Sequence, residues 1–300
     1  MATSAEKTRQ VVNLGGLRVI ELGKRVWREV QEDNSLGYAA QLAYYFLFAL
    51  FPFMIFLMTL VGYLPIPNLM EEIMGLLGRI LPENALGLVR DTVREVVSKQ
   101  RGGLLSFGIL LTLWSSSSAV TAVMDAFNRA YEVREGRPFW KVRLIAIALT
   151  IGIALFITVS MVLLIFGPQI GMWVANQFGL GRLFEIAWNI LRWPVIAALI
   201  IVATATLYYF APDVEQEWKW LTPGSCVAVI LIILTSLGFS YYVNNFGSYS
   251  KTYGSIGAVI VLLTWMYLCG FFLLLGVEIT SEIEHAAAAG KKPGEKELRC

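Results

Sequence analysis

"LIAIALTIGIALFITVSMVLLIFGPQIGMWVANQFGLG", residues 144–181, runs without an aspartate, glutamate, lysine or arginine. A helix that crosses hydrocarbon needs about 20 mainly apolar residues. A soluble helix of this length would carry a charged face, and none is present. The stretch therefore reads as a membrane span, long enough to tilt or run past the interface.

Working outward, five more stretches share this property: Leu36–Met70, Gly102–Met124, Trp193–Pro212, Leu221–Ser250 and Thr252–Val277. The chain is 57% hydrophobic and 15% charged, against about 25% charged in soluble domains. The expected fold is an all-α membrane protein with six transmembrane helices. Residues 1–33 form an N-terminal segment with an amphipathic helix, residues 34–285 the six-span domain, and residues 286–300 a polar tail. Residues 1–35 are charged rather than apolar, so the first span is expected to be the targeting element.

An even number of spans puts both termini on one side. The 24 basic residues then divide 16 to 8 in favour of that side, which the positive-inside bias assigns to the cytoplasm. The net charge of +2 follows from this bias, whereas nucleic-acid binding would want a clustered basic face. Cys226, Cys269 and Cys300 are scattered and form no disulfide framework.

Residues 10–33 carry Val12, Val19, Leu22, Val26 and Val30 at near-helical spacing among basic residues. Such a helix either lies on the cytoplasmic leaflet or packs under the bundle. Asp33-Asn34-Ser35 reads as a cap cluster ahead of the first span, which contains Pro52, a residue that costs one backbone hydrogen bond. Residues 64–101 form the only long external loop and read as two amphipathic helices broken around Leu81-Pro82-Glu83-Asn84, with Leu86, Val89, Val93 and Val96 on one stripe. Pro194 reads as a helix start. Ser115–Ser118 cover every azimuth of a helical turn, so some must face other helices, where small polar residues permit close approach. Alternatively Ser115, Ser118 and Thr121 line a hydrated path.

Four segments together resemble the YihY/virulence factor BrkB family: "NSLGYAAQLAYYFLFALFPF" (34–53), "LWSSSSAVTAVMDAFNRAYEVREGRPFWKVRLIAIALT" (113–150), "PGSCVAVIL" (223–231) and "GFSYYVNNFGSYSKTYGSIGAVIVLLTWMYLCGFFLLLGVEI" (238–279). The resemblance covers about residues 30–285. It implies a six-span, multi-pass protein of the bacterial cytoplasmic (inner) membrane and brings no agreed biochemical activity, although older naming called relatives ribonuclease BN.

The residues argue against an enzyme. Metal-dependent phosphodiester cleavage needs clustered histidine or carboxylate ligands, and the only histidine is His285. No metal site, cofactor or nucleic-acid partner is expected. Lys251 beside Ser248 and Ser250 reads as an interfacial lysine. Ion-coupled carriers place acids or bases within their spans, whereas the charges here cluster at the cytoplasmic ends. Asp125, Arg129, Arg137, Glu278 and Glu282 are the candidate ion-pair or gate residues. Glu278 and Glu282 share one helical face and could meet Arg129, Arg137 or Arg143.

The hairpin "GFSYYVNNFGSYSKTYGSIG" (238–257) has four tyrosines and no acid, histidine or cysteine. Interfaces enrich tyrosine, but Asn244 and Asn245 would be costly against hydrocarbon unless bonded. Tyr241, Asn244, Asn245, Tyr249 and Tyr253 are therefore the candidate mouth of a cavity, with Gln41, Tyr44, Tyr45, Ser115 and Ser118 as further polar lining. Such a wall suits an uncharged or amphipathic, lipid-like ligand carried without ATP. The alternative is a membrane scaffold that docks an envelope protein partner. Composition leaves cargo, energy source and oligomeric state open.

Overall fold

The structure is a computed structural model that describes residues 16–62, 75, 102–179, 181–216, 222–246, 249–287 and 294–296. Within them the chain forms seven helices and no strand. In chain order they are α1 (Val19–Glu32), α2 (Ser35–Gly62), α3 (Gly102–Ala130), α4 (Phe139–Phe178), α5 (Gly181–Phe210), α6 (Pro223–Phe246) and α7 (Tyr249–Ala286). By length and hydropathy, five candidate membrane spans stand out among the described residues: Ser35–Phe53, Phe139–Phe178, Ile186–Phe210, Pro223–Tyr242 and Val259–Ala286. The run expected to be the second span lies on α3, where the side chains of 102–109 lie outside the described residues. The expected helices of the first loop also lie outside them.

α1 buries Leu22, Val26 and Val30, spaced four apart so that they share one face. They pack on Ile283, with Phe271, Leu275 and Ile279 of α7 joining the cluster. The buried stripe of this helix thus packs against α7. Val19, Ile20 and Trp27 stay exposed on the other side. The Asp33-Asn34-Ser35 cluster divides its roles. Asp33 caps the C-terminus of α1, its N–H donating to Glu29 O at 2.8 Å. Asn34 takes a φ of 54°, a left-handed value that asparagine tolerates, and Ser35 opens α2.

Helix boundaries differ from the charge-free runs in an informative way. α4 begins at Phe139, upstream of Arg143, and α5 begins at Gly181, so Pro194 lies inside the helix and not at its start. α7 carries Glu278 and Glu282 within its length. A charge ends an apolar run in sequence, but a backbone helix continues through it wherever another helix supplies a polar partner or close cover.

The chain divides into two compact units. One comprises Met1–Phe48, Ser118–Leu149 and Ile201–Cys300, the other Ala49–Ser117 and Thr150–Ile200. In the first, six helix ends come together. Arg129 near the end of α3 pairs with Asp33 before α2 at 3.0 Å. Arg137 ahead of α4 donates to Ala211 O just beyond α5 at 2.8 Å. Gly224 at the start of α6 lies against Gly276 near the end of α7. Starts of α2, α4 and α6 thus meet ends of α3, α5 and α7.

Close helix approach in this unit depends on glycine. A Cβ on Gly276 would lie 2.7 Å from both Ala228 Cβ and Gly224 O, and would overlap the Tyr208 hydroxyl. That hydroxyl donates to Leu273 O at 2.7 Å. The Tyr208 ring meets Phe127 edge to face at 5.2 Å. Small residues at a helix crossing let backbones touch, the usual source of association in lipid.

Within the second unit, Gly167 and Gly171 of α4 receive two side chains of α5. Trp188 Nε1 donates to Gly167 O at 2.6 Å. A Cβ on Gly171 would strike the Trp188 ring, and one on Gly167 would stand 3.1 Å from Arg192 Cδ.

Candidate functional site

The polar groups of the first unit form three clusters, the first where its helix ends meet, the second reaching inward along α7 and the third between α3 and α4. The first surrounds the α3–α4 connection. Asn128, 3% exposed, donates through Nδ2 to Glu135 Oε2 at 2.9 Å and accepts the Asp213 N–H on Oδ1 at 2.6 Å. Glu132 reverses the chain with a φ of 54°. Arg137 then grips Glu135 with two parallel bonds, Nε to Oε1 at 2.8 Å and Nη2 to Oε2 at 2.7 Å. This fork is the geometry in which arginine outperforms lysine. Nη2 also caps the end of α5 through Ala211 O, where free carbonyls need donors.

Asp213 closes this cluster. It accepts the Gly136 N–H at 2.9 Å, stands 3.5 Å from Arg137 Nε and pairs with Lys296. The Glu215 N–H donates to Lys296 O at 2.7 Å, fixing the tail's backbone here as well. Burial alone would raise both acids. The hydrogen bonds and charge of Arg137 outweigh it at Glu135 and hold that carboxyl below its ordinary range. Lys296, the Gly136 N–H and Arg137 do the same at Asp213. Among the sequence candidates only Arg137 belongs to this cluster. Asn128, Glu135, Asp213 and Lys296 were missed.

The second cluster is acidic. Glu278, 2% exposed, accepts the Ser35 hydroxyl at 3.2 Å. Asp33 is 6% exposed. Burial pushes its carboxyl up to about 6, with Arg129 pulling the other way, and its Oδ2 is buried without a hydrogen-bond partner. Glu282 stands 4.0 Å from His285 Nδ1. The His285 ring meets Tyr131 edge on at 6.3 Å, and burial drives the Tyr131 hydroxyl well above its ordinary range. The arginines expected to meet Glu278 and Glu282 are engaged elsewhere: Arg129 with Asp33 and Arg137 with Glu135. Asp125 is exposed.

The third cluster lies between α3 and α4. Arg143, buried, donates from Nη1 to Ser118 Oγ and Thr121 Oγ1, both at 3.4 Å. Ser116 and Ser117 instead bond back to Thr112 O and Trp114 O, each at 2.8 Å, and Ser115 is exposed. The serine run therefore splits by azimuth, with Ser118 turned to a cation.

The candidate mouth is only partly described. Asn244 and Asn245 lie near the end of α6, and Tyr249 and Tyr253 near the start of α7, but their side chains lie outside the described residues. Tyr241 is 68% exposed. Tyr44, exposed, meets Tyr45 edge to face and Phe48 at a tilt, and Gln41 is exposed. The described residues hold no group of three or more histidine, cysteine or acidic side chains placed to hold a metal ion.

Comparison with known proteins adds the following. A profile of the family described as virulence factor BrkB matches residues 26–299. The ribonuclease-like protein YfkH of Bacillus subtilis is 40% identical over 81% of this chain and 88% of its own length. UPF0761 membrane proteins of Stenotrophomonas maltophilia and Xanthomonas axonopodis are 25% identical over 89% of this chain. The match spans about three fifths of their length, 61% and 62% respectively. No solved structure matches.

Proposed function

Since this chain belongs to the virulence factor BrkB family, a family of membrane proteins, we propose that it is a multi-pass transporter or conduit, not driven by ATP, for an amphipathic or lipid-like molecule. It spans the bacterial inner membrane six times with both termini in the cytoplasm. The observation that carries this reading is Glu278. Its carboxyl group is 2% exposed within an apolar helix, and its hydrogen bond comes from a hydroxyl and not from a cation. An ionisable group inside a span is costly and marks a pathway by default. An anchor or spacer has no use for such a group.

Supporting it, Arg143 sits within another span against Ser118 and Thr121. The two groups bring polarity inward from the end where Arg137, Asp213 and Arg129 tie the helices together. That end is the candidate gate, while the tyrosine- and asparagine-rich hairpin 238–257 is the candidate mouth on the other side. Uncharged hydroxyls and amides there suit a lipid-like cargo. The name of the Bacillus relative notwithstanding, the reading is non-enzymatic: the described residues hold no metal-ligand cluster of the kind phosphodiester cleavage uses.

The tied end favours a second reading, a scaffold of the cell envelope whose helices are locked and which moves nothing. Reconstitution into vesicles with a fluorescent lipid analogue in one leaflet separates the two. Wild-type protein is expected to speed exchange between leaflets and Glu278→Gln to change that rate with folding intact. Exchange no faster than in empty vesicles would leave the scaffold.

A further inference from the structure

The second unit holds a cation that neither the tied end nor the hairpin uses. Arg192 lies within α5, inside the candidate span Ile186–Phe210. Its Nε and Nη1 atoms are buried and make no hydrogen bond. Buried guanidinium donors without acceptors cost more than the bonds themselves return, and in a span every polar group needs a partner. The surroundings also hold the side chain in place. Its stem lies against Gly167, where even a Cβ would stand 3.3 Å from Nη1. Its guanidinium carbon is 5.4 Å from the Trp193 ring centroid. One turn away, Trp188 occupies the groove at Gly171 and spends its indole N–H on Gly167 O.

Depth indicates which ligand fits. Arg192 lies six residues inside the start of the candidate span Ile186–Phe210, about 9 Å at 1.5 Å per residue. A long cationic side chain at that depth is within reach of the head-group layer. Trp188 and Trp193 flank it, as tryptophans do at that level. Unbonded donors on a fixed guanidinium call for an anionic acceptor, and a phosphate supplies several oxygens in the directions they point.

We infer that Arg192, set between Gly167 and Trp193, is a binding site for a phosphate-bearing anion, supplied by the head group of an anionic phospholipid. The assignment deepens the lipid-conduit reading by giving the cargo a phosphate head, and rests on that reading only for the cargo's passage. Binding is measured without transport, so the two can fail separately.

The test is native mass spectrometry of the detergent-purified full chain with added phosphatidylglycerol, phosphatidylcholine or inorganic phosphate. Wild type is expected to retain phosphatidylglycerol in preference to phosphatidylcholine. Arg192→Gln should lose about tenfold of that preference, the loss of one charge-assisted contact. Arg192→Lys, keeping charge without the fork, should fall between. Gly167→Ala keeps the arginine and reshapes its bed, so a reduced preference in that variant supports the site even if Arg192→Gln fails to fold. Equal retention of both lipids by wild type, or an unchanged preference in well-folded Arg192→Gln, overturns the proposal. Displacement of the lipid by millimolar inorganic phosphate would assign the site to a soluble phosphate ester and overturn the phospholipid source.

Discussion

Asp33 and Asp213 belong to the same polar end, yet their environments shift them in opposite directions. Asp213 and Glu135 are held below their ordinary range by Arg137, Lys296 and backbone donors acting against burial. Their contribution to stability is present above an ordinary carboxyl pKa of about 4 and is lost as the pH falls below it. Asp33 is raised to about 6 by burial, so its folded form holds a proton that the unfolded chain has released. Its contribution is complete below its ordinary value and disappears as the pH rises through about 6. Thermal unfolding of the detergent-solubilised protein should therefore show Tm rising from pH 7.5 to pH 5, then dropping below pH 4. Asp33→Asn should lose part of the rise, the part between about pH 6 and pH 5, and keep the acid drop. A variant curve parallel to wild type from pH 7.5 to 5 would clear Asp33 as the source. The partners behind the Asp213 shift were hidden in the sequence because they are remote: Gly136 reaches it across 77 positions and Lys296 across 83.

At the scale of elements, the crossing of α6 and α7 depends on two glycines facing each other. Gly276→Ala would bring its methyl onto the Tyr208 hydroxyl and within 2.7 Å of Gly224 O. The tyrosine can move only by giving up its bond to Leu273 O, and the backbone of α6 cannot yield locally. Overpacking of this kind costs about 1–3 kcal/mol, read as a lower Tm. Combining it with Tyr208→Phe, which removes the obstructing oxygen, should recover part of the loss. Failure to recover any would place the strain at Gly224 and Ala228. Apolar runs made these helices legible in sequence, since hydrocarbon imposes a length that any run must meet. Their ends were less legible. Arg143, Arg192 and Glu278 broke the runs but not the helices, because Ser118, Gly167 and Ser35, each on another helix, accommodate them. Which serine of the run turned to a cation depended on Arg143, twenty-five positions away.

For the whole molecule, the number of crossings decides where everything else lies. Five spans qualify among the described residues, and an odd number would put the termini on opposite faces. Six put them on one face. Six crossings require α3 to return what α2 carries out, and the pairing of Arg129 at the end of α3 with Asp33 at the start of α2 is what such a return would produce. At 29 residues, α3 is about 43 Å long, ample for a return through about 30 Å of hydrocarbon. Single cysteines make the distinction in a background cleared of the others, labelled in spheroplasts with a membrane-impermeant maleimide. With the N-terminus inside, six crossings leave Arg134→Cys and native Cys300 protected and expose Phe178→Cys. If α3 fails to cross, all three reverse: Arg134→Cys and Cys300 label, and Phe178→Cys does not. That reversed pattern would place the Arg137–Asp213 cluster outside the cell. The proposed gate would then face the wrong compartment, and Arg192 would meet the inner leaflet instead of the outer one.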